Sequence, residues 1–200
     1  MATQGGQGPG RAKGGKPWYR DEDILIGELP ENIEQTRKFL FAGGEPLINP
    51  VIRKVIHILV ERGAAPNIIL QFSTNTTFFD ESFFAKMTEF KEANFMLSID
   101  WMEAEQEYIR HPGKWKVVRQ NLEKMRDIAH INCTVTPTVQ SYNAFGLARL
   151  LEYCEELGFE HMLNFLYSPN FLSVRGIDVL GSCASAGWQA LWPWVGTCPR

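Results

Sequence analysis

Short apolar segments alternate along the chain with longer segments in which apolar residues recur at helical spacing. Five apolar runs predict strands at 37–42, 67–73, 94–99, 131–139 and 161–167. Four intervening segments predict helices at 49–62, 80–93, 114–128 and 143–157. One strand and one helix recur every 27 to 37 residues, which is the spacing of parallel strands joined by crossover helices. The pattern predicts an α/β fold, a partial parallel (βα) barrel of about five βα units, with a doubly wound sheet as the alternative.

Residues at the predicted helix ends support this assignment. Asn49 is a good N-cap, Pro50 suits the first helical position, and Gly63 suits the position after the last turn. Asp80 and Asn143 are predicted to cap the helices that follow them, because their short polar side chains can accept hydrogen bonds from the first free backbone N–H groups.

Both ends of the chain lack the alternation. Residues 1–20 contain six glycines, four Lys or Arg residues and no acidic residue, and are predicted to be a disordered basic tail because they cannot bury enough apolar surface. Residues 176–200 are rich in Trp, Cys and Gly and show no regular periodicity. The predicted domain is therefore 21–175, which opens with a helical stretch at 21–36. A first barrel strand is not visible before residue 37.

Composition and charge exclude several classes of protein. The net charge of −3 gives no reason to expect a nucleic-acid surface, and no apolar run approaches the roughly 20 residues that span a bilayer. The N-terminal segment has no apolar core of a signal peptide, and the cysteines form no C-x-x-C pair, so a reducing cytoplasmic location is predicted. The four cysteines are Cys133, Cys154, Cys183 and Cys198.

Polar side chains lie at or just after the carboxyl end of each predicted strand, where ligands bind in α/β sheets. They are Glu45, Thr74, Asn75, Ser98, Asp100, Gln140, Asn143, Asn164 and Ser168. Glu45 is distinctive, because Gly43 and Gly44 before it permit a sharp turn and a close approach of a ligand to the backbone, and its carboxylate can hold a cationic group. The chain has no Walker loop and no G-x-G-x-x-G motif, and its four His residues are scattered, so neither a phosphate cradle nor a zinc site is indicated.

Four blocks at these strand ends together resemble the radical S-adenosylmethionine (radical SAM) superfamily, and within it the members with a twitch domain. The blocks are Gly43-Gly44-Glu45-Pro46-Leu47, Ser73-Thr74-Asn75-Thr76-Thr77, Leu97-Ser98-Ile99-Asp100, and Glu107-Tyr108-Ile109-Arg110 followed by Trp115. They occur in the family's order, and the similarity spans residues 24–170. It implies a partial TIM barrel of the radical SAM type with S-adenosylmethionine as a cofactor.

The resemblance also assigns roles to residues. The site that it predicts consists of Gly43, Gly44, Glu45, Asn75, Ser98, Asp100 and Arg110. The carbonyls of the two glycines and the Glu45 carboxylate would receive the ammonium of the cofactor. Ser98 and Asp100 would bind the ribose hydroxyls, Arg110 would bind the carboxylate, and Asn75 would lie near the ligand. The backbone of 167–169 would lie beside the adenine.

Each of these residues also has a local explanation. Asn75 can form an Asx turn, and Ser98 can hydrogen-bond within the sheet. Asp100 can cap the connection that follows it, and Arg110 can form a surface ion pair. The aromatic and Met side chains of 80–93 are expected to be core.

One element of the family pattern is absent from the sequence. Radical SAM enzymes hold a 4Fe–4S cluster on a C-x-x-x-C-x-x-C loop after the first barrel strand, but this chain has no cysteine before Cys133. Cys133 and Cys154 lie within a predicted strand and helix and are expected to be buried. Cys183 and Cys198 are too few to hold an auxiliary cluster by themselves. The metal ligands are therefore missing, and the resemblance leaves open whether this chain is itself an enzyme.

Three functions remain open at this stage. The first is a radical SAM domain whose parent activity is reductive cleavage of S-adenosylmethionine, acting on a peptide or small metabolite, but incomplete and inactive alone in this chain. The second is a binding or structural remnant that keeps affinity for S-adenosylmethionine without redox chemistry. The third is a TIM-barrel-like hydrolase that uses Glu45 and Asp100 as a carboxylate pair.

Overall fold

A computed structural model describes residues 33–174 and contains a five-stranded parallel sheet in the order β1-β2-β3-β4-β6. The strands are β1 Lys38–Phe41, β2 Ile69–Thr74, β3 Glu92–Leu97, β4 Ile131–Val135, β5 Thr138–Val139, β6 Glu160–His161 and β7 Asn164–Phe165. β5 and β7 form a second, two-stranded parallel sheet. The strands follow one another in chain order across the sheet, without the reversal of a doubly wound fold, and this confirms the predicted α/β partial barrel.

Helices lie in the connections between the successive strands of the five-stranded sheet. They are α1 Pro50–Glu61, α2 Glu81–Ala85, α3 Glu103–Ile109, α4 Trp115–Arg126 and α5 Leu147–Glu156. Short 3-10 helices are present at Ile33–Gln35, Pro46–Ile48, Ala65–Asn67 and Lys86–Glu89. Among the described residues, no helix is long and apolar enough to cross a membrane. The predicted tails 1–20 and 176–200 and most of the predicted helix 21–36 lie outside the described residues.

An aromatic layer joins the sheet to α2. Phe72 of β2 is in register with Phe41 of β1 and Phe95 of β3, and its ring stacks on theirs with centroids 5.1 and 4.9 Å apart. Phe83 and Phe84 of α2 pack against this row, as the apolar spacing of 80–93 predicts. All but Phe41 are buried, so this side of the sheet is the core.

The helix α1 confirms the signals read at its ends. The side chain of Asn49 accepts a hydrogen bond from the Val51 N–H at 2.9 Å, and Pro50 occupies the first helical position. Gly63 follows the last turn with φ +68°, the left-handed conformation that glycine adopts without a steric cost. The apolar stripe of the helix is buried at Val51, and also at Val55, Ile56 and Leu59.

The predicted helix 80–93 is wrong in its length. Asp80 caps it as predicted, by accepting hydrogen bonds from the Ser82 and Phe83 N–H groups. α2 nevertheless ends at Ala85 and continues only as the 3-10 helix Lys86–Glu89. Glu92–Leu97 then pairs with β2 over six residues and buries alternate apolar side chains, so sheet pairing overrides helical propensity there.

Two other predictions fail between residues 101 and 139. The connection 101–113 contains the helix α3, which sequence periodicity missed. The predicted strand 131–139 is interrupted after Val135, because Pro137 has no N–H to continue the ladder. The Thr136 N–H and hydroxyl both donate to the Leu97 carbonyl, and the chain then enters β5 in the second sheet.

Asn143 does not cap the helix that follows it, which corrects another prediction. α5 begins at Leu147, and its N-cap is Gly146. Asn143 is fully buried and instead bonds loop backbone: its Oδ1 accepts from the Gln140 N–H, and its Nδ2 donates to the carbonyls of Asp100 and Thr138. The Asn143 side chain, which the local sequence predicts to cap a helix, therefore forms tertiary hydrogen bonds instead. The predicted strand 161–167 is likewise divided, into β6 and β7.

Candidate functional site

The carboxyl ends of β2 and β3 and the loop after β1 border a cleft of about 620 Å³. Its lining includes Gly43, Gly44, Ser73, Thr74, Asn75, Thr77, Ser98, Gln106, Ile109, Arg110, His111, Pro112, Gly113, Lys114, Val117 and Val118. Five of the seven predicted site residues are in this set: Gly43, Gly44, Asn75, Ser98 and Arg110. Predicted site residues separated by up to 67 positions in the chain, 43 and 110, therefore meet at one cleft.

Two glycines shape the loop after β1. Gly43 has φ +91° and Gly44 has φ +59°, and both are exposed. A side chain at either position would be strained by this backbone conformation, even though the space around each Cβ position is open. The loop therefore presents bare backbone to the cleft, and Pro46 begins a 3-10 helix immediately after Glu45.

Glu45 joins the loop after β1 to the end of β2. Its Oε1 accepts hydrogen bonds from the Thr74 hydroxyl at 2.8 Å and from the Leu47 N–H at 3.1 Å. Its Oε2 accepts from the Asn75 N–H at 2.9 Å. A carboxylate has about four acceptor positions, so these three bonds fix its orientation and leave capacity for a further donor. Glu45 is half-buried and is not itself in the lining, but it is hydrogen-bonded to two lining residues, Thr74 and Asn75.

Asn75 forms the Asx turn that local sequence allows. Its Oδ1 accepts from the Thr77 N–H at 2.9 Å and from the Thr77 hydroxyl at 2.6 Å. The next residue, Thr76, has φ +62°, and its carbonyl accepts from Asn121 Nδ2 at 2.8 Å. The turn and this buried hydrogen bond hold Asn75 at the cleft, with no partner for its Nδ2 among the described residues.

Ser98 uses its backbone and its side chain differently. Its N–H donates to the Thr74 carbonyl at 2.8 Å and so extends the pairing of β2 with β3. Its hydroxyl makes no hydrogen bond within residues 33–174 and lines the cleft in a half-buried position. The hydroxyl is therefore available to a ligand.

Arg110 and Asp100 form an ion pair at the edge of the cleft. Arg110 Nε donates to Asp100 Oδ2 at 2.5 Å, and the terminal nitrogens of Arg110 make no hydrogen bond to another described residue. Asp100 is 2% exposed, and its Oδ1 accepts from the Thr138 N–H at 2.7 Å. The Asp100 carboxylate is thus not part of the lining, whereas Arg110 is.

Several lining residues were not expected from the sequence. Gln106 is buried, and its Oε1 accepts from the N–H groups of Asp100 and Trp101, both at 3.0 Å. It lies in α3, and a buried amide in a short polar helix leaves no periodic signal. Glu107, on the same helix, accepts from Lys114 and from the Trp115 N–H, and these bonds lower the pKa of its carboxyl. They tie the segment 109–114, one wall of the cleft, to α3.

The remaining strand-end residues lie elsewhere. Gln140 and Asn143 are buried and outside the lining, while Asn164 and Ser168 are exposed.

Cys133 and Cys154 are buried, and burial raises the pKa of each thiol to about 12. No three His, Cys, Asp or Glu side chains within residues 33–174 are grouped to hold a metal ion. This part of the chain therefore does not fit a 4Fe–4S cluster.

Comparison with known proteins gives two kinds of match. The family model described as "Radical SAM superfamily" matches residues 6–162. No curated protein matches the sequence. Among solved structures, Streptococcus suis SuiB is similar with a TM-score of 0.55 at 14% identity, over 80% of this chain and 36% of that chain. SuiB bound to S-adenosylmethionine gives a TM-score of 0.52 at 16% identity, over 82% of this chain and 37% of that chain.

A third structure, SuiB bound to precursor peptide SuiA, has the same TM-score and identity as the complex with S-adenosylmethionine, and the match covers 36% of its chain. At such identities the likeness shows the fold alone. This chain spans little more than a third of the length of these structures.

Proposed function

This chain belongs to the radical SAM superfamily, and we propose that its cleft binds S-adenosylmethionine. The observation that carries the proposal is the convergence of Gly43, Gly44, Asn75, Ser98 and Arg110 on one cleft, with Glu45 hydrogen-bonded to two of its lining residues. A volume of about 620 Å³ lies within the usual 300 to 1,000 Å³ range of small-molecule sites.

The polar groups of the cleft match those of the ligand. The ammonium of S-adenosylmethionine needs acceptors. The loop offers the carbonyls of Gly43 and Gly44, which line the cleft, and the carboxylate of Glu45, which is bonded to the lining residue Asn75 and has spare acceptor capacity. The ligand's carboxylate needs paired donors, which the terminal nitrogens of Arg110 offer. The free hydroxyl of Ser98 suits the ribose. The donors and acceptors present therefore fit the cofactor.

The proposal also concerns whether this chain cleaves the S-adenosylmethionine that it binds. In the family a bound 4Fe–4S cluster supplies the electron that cleaves S-adenosylmethionine. The sequence has no C-x-x-x-C-x-x-C motif, and residues 33–174 offer no substitute ligand set. We therefore expect this chain alone to bind and orient the cofactor without cleaving it. Because the cluster ligands are missing, the second candidate function is a module that binds S-adenosylmethionine and has no redox activity.

The remaining features are proposed by resemblance. A peptide is the favoured second substrate, with a small metabolite as the alternative, because a similar structure is that of SuiB bound to precursor peptide SuiA. The twitch-domain subtype and the cytoplasmic location belong to the same proposal. The hydrolase alternative has little support, because Asp100 is buried with both carboxylate oxygens bonded to neighbouring residues.

Calorimetric titration of the full chain with S-adenosylmethionine tests the binding. We expect saturable binding that weakens at least tenfold in Glu45→Gln. The amide lacks the charge that attracts the ammonium, and its NH2 group cannot accept from the donors that the Glu45 carboxylate binds. Glu89→Gln is the matched control, since Glu89 is an exposed residue outside the cleft lining. No binding at millimolar ligand, or equal binding by both variants, would reject the proposal.

Anaerobic iron–sulfide reconstitution tests the absence of cleavage. We expect no 4Fe–4S absorbance band and no 5′-deoxyadenosine from this chain alone. Formation of both would show that the chain holds a cluster, and would overturn the expectation of inactivity while leaving the binding proposal intact.

A further inference from the structure

We infer that Asp100 is a positioning residue, which orients Arg110 toward the carboxylate of S-adenosylmethionine, and is not itself a ligand of the ribose. The inference rests on the proposed function of the cleft. It assigns to Asp100 a role different from the one that the family resemblance predicts.

The backbone N–H, the backbone carbonyl and both carboxylate oxygens of Asp100 form hydrogen bonds to other residues. Its N–H donates to Gln106 Oε1, and its carbonyl accepts from Asn143 Nδ2. Its two carboxylate oxygens accept from Arg110 Nε and from the Thr138 N–H. With 2% of its surface exposed and no place in the cleft lining, Asp100 is not accessible to the hydroxyl groups of a ligand in the cleft. The residue is therefore built to hold other groups in place.

Arg110 is the group that Asp100 can orient. Its side chain is 35% exposed against 2% for the carboxylate, so one end of the pair is buried and the other reaches the cleft. Asp100 contacts Nε, which leaves both terminal nitrogens for a second partner. A guanidinium binds a carboxylate best through two parallel N–H groups, and its planar shape transmits the orientation fixed at Nε.

Stability alone does not account for this arrangement. A buried ion pair contributes little net stability, because desolvation of the two charges offsets their attraction. Here two buried amide side chains, those of Gln106 and Asn143, hydrogen-bond the backbone N–H and the backbone carbonyl of Asp100, whose carboxylate is buried. The placement beside the cleft is better explained by control of the Arg110 side chain.

A second Arg–Asp pair in the chain provides a matched control. Arg53 Nη1 donates to Asp80 Oδ2 at 2.6 Å, with 31% and 27% of the two side chains exposed. Neither residue lines the cleft, and Arg53 keeps two hydrogen bonds to the Leu47 carbonyl when Asp80 is neutralised. The substitution Asp80→Asn therefore removes an Arg–Asp ion pair with a more exposed carboxylate, at residues that lie outside the cleft lining.

The test compares two ligands on the full-length chain by calorimetry: S-adenosylmethionine and its decarboxylated analogue. We expect Asp100→Asn to weaken S-adenosylmethionine binding roughly tenfold and to leave the affinity for the analogue within about twofold. Asp80→Asn should leave both affinities within about twofold. In an Arg110→Met background, the added Asp100→Asn substitution should have no further effect, because Asp100 acts through Arg110.

Each contrary result has a distinct meaning. Equal weakening for both ligands, or additive effects in the double variant, would overturn the positioning role and leave the proposed function standing. Failure of the unsubstituted chain to bind either ligand would overturn both. Should Asp100→Asn fail to fold by circular dichroism, Asp100→Glu replaces it, since the longer carboxylate keeps the charge but displaces the guanidinium, and the same selective loss is expected.

Discussion

Replacing Asn143 by Ala should destabilise this protein more than any other single amide truncation at the strand-end loops. The side chain is fully buried and makes three hydrogen bonds, to the Gln140 N–H and to the carbonyls of Asp100 and Thr138. Each bond contributes about 1 kcal/mol net, and a partner left unsatisfied in a buried place adds to the loss. The expected decrease in the free energy of unfolding is therefore roughly 3 to 5 kcal/mol, a large part of the usual 5 to 15 kcal/mol.

Equilibrium urea denaturation followed by far-UV circular dichroism measures this loss, with Asn132→Ala as the control. Asn132 also makes two side-chain hydrogen bonds, to Glu92 and Asn94, but all three side chains can exchange them for water because the site is exposed. Asn132→Ala should cost no more than about 0.5 kcal/mol. If Asn143→Ala cost as little as the control, the claim that this amide ties the loops together would be refuted.

The remaining predictions concern packing and ionisation. Gly146→Ala should cost about 1 to 3 kcal/mol in urea denaturation, because a Cβ would lie 2.1 Å from a ring carbon of Trp101. Cys133 and Cys154 should resist iodoacetamide in the folded chain and react in urea, as peptide mass mapping would show. Because burial raises their pKa to about 12, folding stability is complete below the unfolded thiol pKa and falls as pH rises from about 9 to 12. Asp80 behaves in the opposite sense: hydrogen bonds from Ser82 and Arg53 lower the pKa of its carboxyl, so its stabilisation is complete above about pH 4 and is lost as pH falls further. Acid denaturation of Asp80→Asn should accordingly lack part of the loss seen below pH 4; an identical acid profile would contradict this.

Local signals in the sequence were sufficient for the elements whose ends are set by neighbouring residues. The helix α1 begins and ends where Asn49, Pro50 and Gly63 predict, because caps act over two or three positions. The strand-end position of Glu45 also follows from adjacent glycines. The fold class was therefore predictable from sequence alone, and the parallel strands bring Gly43, Asn75 and Ser98 to one cleft.

Features that depend on distant residues were not predictable. α3 is seven residues long, and its buried Gln106 is defined by contacts to the backbone of Asp100 and Trp101. The local sequence predicts that Asn143 caps a helix, but its side chain bonds the Asp100 carbonyl, which lies 43 positions away in the chain. The environment of the Asp100 carboxylate is likewise set by two distant groups, Arg110 and the Thr138 N–H, which bond its two oxygens. In each case one polar group has several possible partners, and only tertiary structure selects among them.

The Glu45 carboxylate also determines how the two loops that it joins come apart. It accepts from the Leu47 N–H after β1 and from the Asn75 N–H after β2, so neither loop can expose its amide without disturbing the shared acceptor. In native-state hydrogen exchange, both amides should open with similar free energies and similar urea dependence, as members of one cooperative unit. Local fluctuations at this end of the sheet thus involve the two loops together, before any ligand arrives.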